Sequence, residues 1–500
     1  MNTLERLFVA VGVALLLAGC GQQQEAGEYV EEAGAIADIP ATTTSEAALA
    51  HFEQGQALFD VGRAVPALDH FRLAIEEDPT FVRGYIGIAN TVFSPEEART
   101  AIAQAAANIE GASDGERILI EIVQAGQDNN TDRQLELANT LVQQYPNSPR
   151  AHIILAGVQA ARLEIDEARA TMARALELDP QMVAAHAGLF FSTLFQEPYD
   201  FDAAGRHASH VVELDPDNPM GYSFQGDVRR SLKDYEGARD FYSTALDKDP
   251  ALGLAALKRG IVNTFLGDYD AARADYQLAA DVDKGTNKIT NANFSAFVHV
   301  YEGNPKAAIA ELRQIDTDYS DLDIPADQMR SVRQFTMANA ATIALFNELI
   351  PEAKAAVKDL TALMRENAEA TGDADFTRRQ EAAIRIWEAR LAARSGDFET
   401  AATKAEENKA LLEGDANPRK LEPYNNVNGL IALLQGNAEH AIEHYEQGNV
   451  QNPFIKYHLG LAHEAAGNAD KAREIFQEVA DYQFVSAGTA LVRPAAMQKL

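Results

Sequence analysis

The chain has 500 residues, with 75 acidic and 43 basic side chains, a formal net charge of −32 and one cysteine. That charge repels phosphate backbones and excludes nucleic acid as a partner, and a lone cysteine excludes both a disulfide framework and a cysteine metal site. The length excludes a single round core, because hydrophobic cores stop growing well below it.

Leu7 to Ala18 is an apolar run of 12 residues behind Arg6, too short to span a bilayer and the length of a signal-peptide core. It ends in Leu17-Ala18-Gly19-Cys20, which resembles the lipobox of bacterial lipoproteins. The resemblance implies that residues 1–19 are removed, that the Cys20 thiol is acylated, and that the chain is held to a membrane of the bacterial cell envelope by lipid. In a Gram-negative cell, Gly21 in place of Asp implies sorting to the periplasmic face of the outer membrane. Residues 20–45 lack helical periodicity and are rich in Gln, Glu, Gly and Thr, the composition of a flexible tether; Ser45 is placed to cap the first helix.

From residue 46 the chain repeats. Helix-ending prolines fall at Pro146, Pro180, Pro216 and Pro250, at spacings of 34, 36 and 34. Aligned on them, a small residue returns as Ala67, Ala168, Ala204, Ala238, Ala272 and Ala441. A bulky residue returns four positions later as Phe71, Met172, Tyr242, Tyr276 and Tyr445. The clearest unit, Pro219 to Pro250, predicts two helices that approach at Gly226 and Ala238, with Tyr242 filling the space between them.

This pattern resembles the tetratricopeptide repeat, a family of 34-residue helix hairpins, over nearly all of residues 46–487. The resemblance implies an all-α, right-handed α-solenoid of about 12 hairpins whose first helices line a concave, partner-binding groove. The expected divisions are an N-terminal array over 46–316, an acidic connector over 317–327, a C-terminal array over 328–487 and a cap over 488–500. Within the C-terminal array, longer and looser hairpins are expected at 328–367 and 378–413, joined by a linker from Glu369 to Asp375.

The groove candidates are Phe191, Phe195, Met220 and Phe224, an aromatic and sulfur strip that either lines the groove or fills a widened gap between helices. Arg230 and Lys258 are polar candidates, although the paired lysines and asparagines with which some family members clamp carboxylates have no counterpart at matching positions. His207/His210 and His440/His444 have one-face helical spacing, and Asp316 to Asp321 alternates oxygen ligands without the glycine a calcium loop needs. Neither carries a metal assignment. No nucleotide loop, nucleophile elbow or zinc-protease motif is present: Gly467 stands where His463-Glu464 would need a second histidine.

The expected function is therefore a non-enzymatic scaffold, without cofactor, that binds an envelope protein or peptide. The alternative is a binder or sensor of small ligands such as glycan fragments or metal ions. The net charge leaves two readings open, attraction to basic partners or plain solubility.

Overall fold

The computed structural model describes residues 38–92 and 94–500, which hold 25 α-helices and no strand. Contacts divide them into two units, one ending at Lys233 and the other running from Asp234 to Leu500.

The first unit contains α1 (Glu46–Asp60), α2 (Ala64–Glu77), α3 (Val82–Thr91), α4 (Pro95–Ala107), α5 (Asp114–Gln127), α6 (Thr131–Gln144), α7 (Pro149–Ala161), α8 (Ile165–Leu178), α9 (Val183–Phe195), α10 (Phe201–Leu214) and α11 (Pro219–Ser231). The second contains α12 (Tyr235–Lys248), α13 (Gly253–Leu266), α14 (Tyr269–Val282), α15 (Gly285–Tyr301), α16 (Pro305–Asp318), α17 (Ala326–Phe346), α18 (Ile350–Thr371), α19 (Ala374–Arg394), α20 (Phe398–Leu411), α21 (Glu422–Leu434), α22 (Ala438–Glu446), α23 (Pro453–Ala465), α24 (Ala469–Ala480) and α25 (Ala487–Met497). The expected all-α solenoid of helix hairpins is what the chain forms.

Two local rules make each hairpin. At the turn between its helices a left-handed residue is followed by a short polar cap, as in Gly267-Asp268 and Gly436-Asn437, both glycines at φ 79°. Glycine reaches that conformation without a Cβ penalty, and the Asp or Asn side chain satisfies a free amide of the next helix. At the crossing, a first-helix glycine takes the aromatic ring of the second helix. A Cβ on Gly55 would lie 2.8 Å from Phe71, one on Gly260 2.6 Å from Tyr276, and one on Gly460 2.7 Å from Phe476.

First helices also touch the first helices of neighbouring pairs, as α1 does α3, α3 does α5, and α19 does α21, so they form the inner layer. In the first unit the array curls until α9 meets α1. There Arg150 of α7 grips Asp60 of α1 with two bonds of 2.6 and 2.8 Å, both side chains almost wholly buried. An isolated buried charge would be costly, and the bidentate geometry is what makes the pair tolerable.

The last residues of the expected tether depart from a flexible reading. Arg83 donates to the carbonyls of Ile39 and Pro40 at 3.3 and 3.1 Å, and Thr42 gives Glu116 bonds of 2.9 and 2.7 Å from its amide and hydroxyl. Ser148 bonds Asp38. Ile39 is buried beside Gly115, where a Cβ would lie 2.9 Å from it. The signal, Cys20 and the rest of the tether lie outside the described residues.

In the second unit the long hairpins are α17–α18 and α19–α20, and the linker expected over Glu369–Asp375 shrinks to Gly372 and Asp373. Gly372 ends α18 in the left-handed region and Asp373 caps α19, so no more chain is needed. The acidic stretch after α16 lies inside this unit, with Tyr319, Leu322 and Ile324 packed on Ile315 and Val332. Helix α25 does more than follow α24. It also packs on α15, α17 and α23, first helices of three pairs, with Arg493 4.1 Å above the Phe265 ring and 3.3 Å from the Tyr235 hydroxyl.

Candidate partner-binding groove

The residues expected to line a groove in the first unit are mostly core. Phe224 and Met220 are 0% and 2% exposed, and Phe224 stacks on Phe190 at 4.4 Å between ring centroids. Phe191 meets Phe224 edge-on at 5.3 Å and stays partly exposed, as does Phe195. The rings thus fill the space between α9 and α11, the gap-filling alternative. Arg230 is buried with Asp227 at 3.2 Å, and Lys258 is buried in the second unit.

His186 of α9 joins His207 and His210 of α10, its Nδ1 3.1 Å from that of His207 and its ring 4.8 Å from that of His210. Burial, reinforced by the neighbouring imidazoles, pushes the His207 pKa down to about 4. His440 bonds Asn437 at 2.8 Å instead of pairing with His444. In the acidic stretch, Arg333 takes both oxygens of Asp316 at 2.8 and 3.0 Å. Among the described residues no group of three or more His, Cys, Asp or Glu is arranged to hold a metal ion.

An open part of the inner layer lies in the second unit, around the only tryptophan of the chain, Trp387. Helix α19 places Trp387, Arg390 and Arg394 on one face through spacings of three and four residues. A small cavity of about 40 Å³ opens beside them, walled by Phe346 of α17, Leu430 of α21, and Phe454 and His458 of α23. On the other side of Trp387 and Arg390 a larger cavity of about 510 Å³ runs between α19 and the segment after α20, reaching Arg379, Arg419 and Lys420. The two cavities share Trp387 and Arg390.

The electrostatics of this groove are unlike those of the whole chain. Five cations and one carboxylate, Asp415, line the two cavities. Asp415 is engaged by Arg378 and Arg379 at 3.1 and 3.0 Å, and its pKa is held at about 2 by the Asn417 amide and these guanidinium groups. Arg390 lies over Trp387 at 5.2 Å, and among the described residues Arg394 reaches the exposed Glu348 and His458, each at 3.4 Å. Burial lowers the pKa of both guanidinium groups and takes that of His458 to about 4, so His458 is neutral at pH 7. Tyr445 of α22 lines the smaller cavity and is 1% exposed, and its hydroxyl is closed off from solvent and has no hydrogen-bond partner among the described residues.

The sequence carried a signal for this site that the repeat alignment passed over: Trp387-x-x-Arg390-x-x-x-Arg394 in a strongly acidic chain. It lies in a long hairpin off the 34-residue template.

Residues 200–253 and 427–484 match the tetratricopeptide repeat profile. Over those two segments, less than a quarter of its length, the chain is similar to tetratricopeptide repeats. The second matched segment includes Tyr445 and His458 of the groove. Solved structures with similarity include that of PilF from Pseudomonas aeruginosa, at 16% identity and a TM-score of 0.34 over 43% of this chain and 95% of that one. Another is YrrB, described as a tetratricopeptide protein with an unusual peptide-binding site, at 17% identity and a TM-score of 0.29 over 37% and 94%. The Cut9–Hcn1 hetero-tetramer of the APC/C is similar at 13% identity and a TM-score of 0.40 over 90% and 76%. No match was found among curated protein sequences.

Proposed function

We propose that this tetratricopeptide-repeat protein is a non-catalytic scaffold that binds a protein or peptide partner on the inner layer of its second unit, at Trp387. The observation that carries the reading is the pair of cavities meeting at Trp387 and Arg390, the smaller of them walled by the first helices of successive hairpins. Interfaces concentrate their energy in tryptophan and arginine set in such pockets. The anchor and address follow from the sequence: lipid on Cys20, and a place in the bacterial cell envelope, at the periplasmic face of the outer membrane in a Gram-negative cell. Small-ligand sensing through the aromatic strip loses its support with Met220 and Phe224 buried.

The test is affinity capture from envelope membranes with the full-length chain and its Trp387→Ala variant, both folded by circular dichroism. A discrete protein retained by the wild type and lost from the variant is expected; the same proteins on both would remove the groove from the account. Cys20→Ser is expected to move the chain from the membrane to the soluble fraction, and an unchanged distribution would remove the anchor.

A further inference from the structure

We infer that residues 38–43 are a releasable latch: the starts of α3, α5 and α7 form a built site for an extended segment, and the chain fills it with the end of its own tether.

In a helix-pair array each pair ordinarily touches only its neighbours, and stacking alone sets the curl. The latch breaks that rule, because one short segment reaches four successive pairs of the first unit. Thr43 bonds Asp78, between α2 and α3, and Thr42 gives its amide and hydroxyl to Glu116 of α5. Arg83 of α3 holds the carbonyls of Ile39 and Pro40 while its guanidinium lies 5.0 Å over the Phe52 ring of α1. Ser148, the cap of α7, bonds Asp38. That last bond falls two residues from Arg150, which ties α7 to α1 through Asp60.

The site is made of groups that need an occupant. Arg83, Glu116 and Ser148 are 3%, 0% and 0% exposed, and the Thr42 amide is the one donor to Glu116 Oε1 among the described residues. Charged and polar groups at that depth cost stability when they lack a partner, so the bare site favours refilling. Gly115 leaves the room that the buried Ile39 side chain takes. Pro40 and Thr42 stay exposed on their outer side, so the segment lies on the helices and not among them. The chemistry selected is an apolar residue, two carbonyls for one guanidinium, then an amide and a hydroxyl for one buried carboxylate. In this chain an extended Ile39-Pro40-Ala41-Thr42 supplies it. Release of the latch frees the first unit to change its curl.

The test compares the full-length chain with its Ile39→Ser/Thr42→Val variant, which alters latch residues alone. Thr44→Val, at an exposed neighbour outside these bonds, is the control. All three are checked for folding by circular dichroism. In the double variant the amides of residues 82–88, 114–120 and 149–155 are expected to exchange hydrogen roughly tenfold faster or more, with α10 unchanged and the control like the wild type. A fluorescent peptide of residues 36–44 is then added, and its anisotropy is expected to rise saturably with the double variant. Binding to the wild type is expected to be at least roughly tenfold weaker, because the tethered segment competes at an effective concentration on the order of millimolar. Thr42→Val in the peptide is expected to weaken its binding. Unchanged exchange in the double variant, or peptide binding that is equal in the two proteins or absent from both, would overturn the inference.

Discussion

The ring of Tyr445 lies over Gly429 so closely that a Cβ on that glycine would fall 2.8 Å from the ring, and the same tyrosine lines the cavity beside Arg390. One contact thus serves two purposes. The glycine–aromatic crossing that closes a repeat also sets the depth of the candidate groove. Gly429→Ala is therefore expected to lower stability by about 1–3 kcal/mol, the cost of overpacking, and to alter Trp387 fluorescence. Urea unfolding together with emission spectra checks both; a stable variant with an unchanged spectrum would uncouple them.

Asp60 and Arg150 join the first pair of helices to the fourth across the inner layer of the first unit. Asp60→Ala is expected to cost about 3–5 kcal/mol, since it removes the bidentate carboxylate from a buried guanidinium. Replacing both partners with apolar residues should cost markedly less. Equilibrium unfolding of the two variants decides it, and equal losses would count against the ion-pair explanation.

His458 is held neutral, with a folded-state pKa of about 4 against an ordinary value of 6.5. Burial is the main cause, with Arg394 and Arg390 adding to it, and Phe346, Phe454 and Tyr457 enclose the ring. Below pH 6.5 the unfolded chain binds the proton and the folded one does not, so stability falls as pH drops from 6.5 towards 4 and is unaffected by this group above that window. The effect of this one group is on the order of 3 kcal/mol. His458→Gln should flatten the decline in melting temperature between pH 7 and 4.5, and an unchanged slope would assign the decline to other groups.

Leu163 occupies the left-handed turn position that other hairpins give to glycine, at φ 65°, and its side chain is 76% exposed. A non-glycine residue there costs about 1–2 kcal/mol, offset in part by the extra freedom glycine has when unfolded. Leu163→Gly should raise stability by up to about 1 kcal/mol, measured by thermal unfolding; destabilisation would mean that the leucine makes a contact of value.

The hairpins were legible because each is written in a few residues with one physical job. Gly55 and Phe71, or Gly429 and Tyr445, mark a crossing wherever they occur, and Gly303-Asn304 marks a turn. The groove was not legible by the same means. Phe191, Phe195, Met220 and Phe224 are apolar and helically spaced, and such a stripe has the same appearance whether it faces solvent or another helix; stacking on Phe190 decides it for Phe224. Arg390 posed the opposite problem. Its meaning depends on which carboxylates lie near it in space, and Asp415, 25 residues away in sequence, is already committed to Arg378 and Arg379. The packing of Ile39 and Thr42 likewise rests on Arg83 and Glu116, distant residues that no local pattern connects to a tether-like segment.

The central claim is that the partner sits on the inner layer at Trp387. A photo-crosslinking amino acid placed at Leu430, on the cavity wall, and separately at the exposed Leu163, tests it most directly in cells of the source organism. The account predicts one discrete crosslinked protein from position 430, lost when Trp387→Ala is added, and none from position 163. A product from position 163 alone, or one from 430 that survives Trp387→Ala, would contradict it.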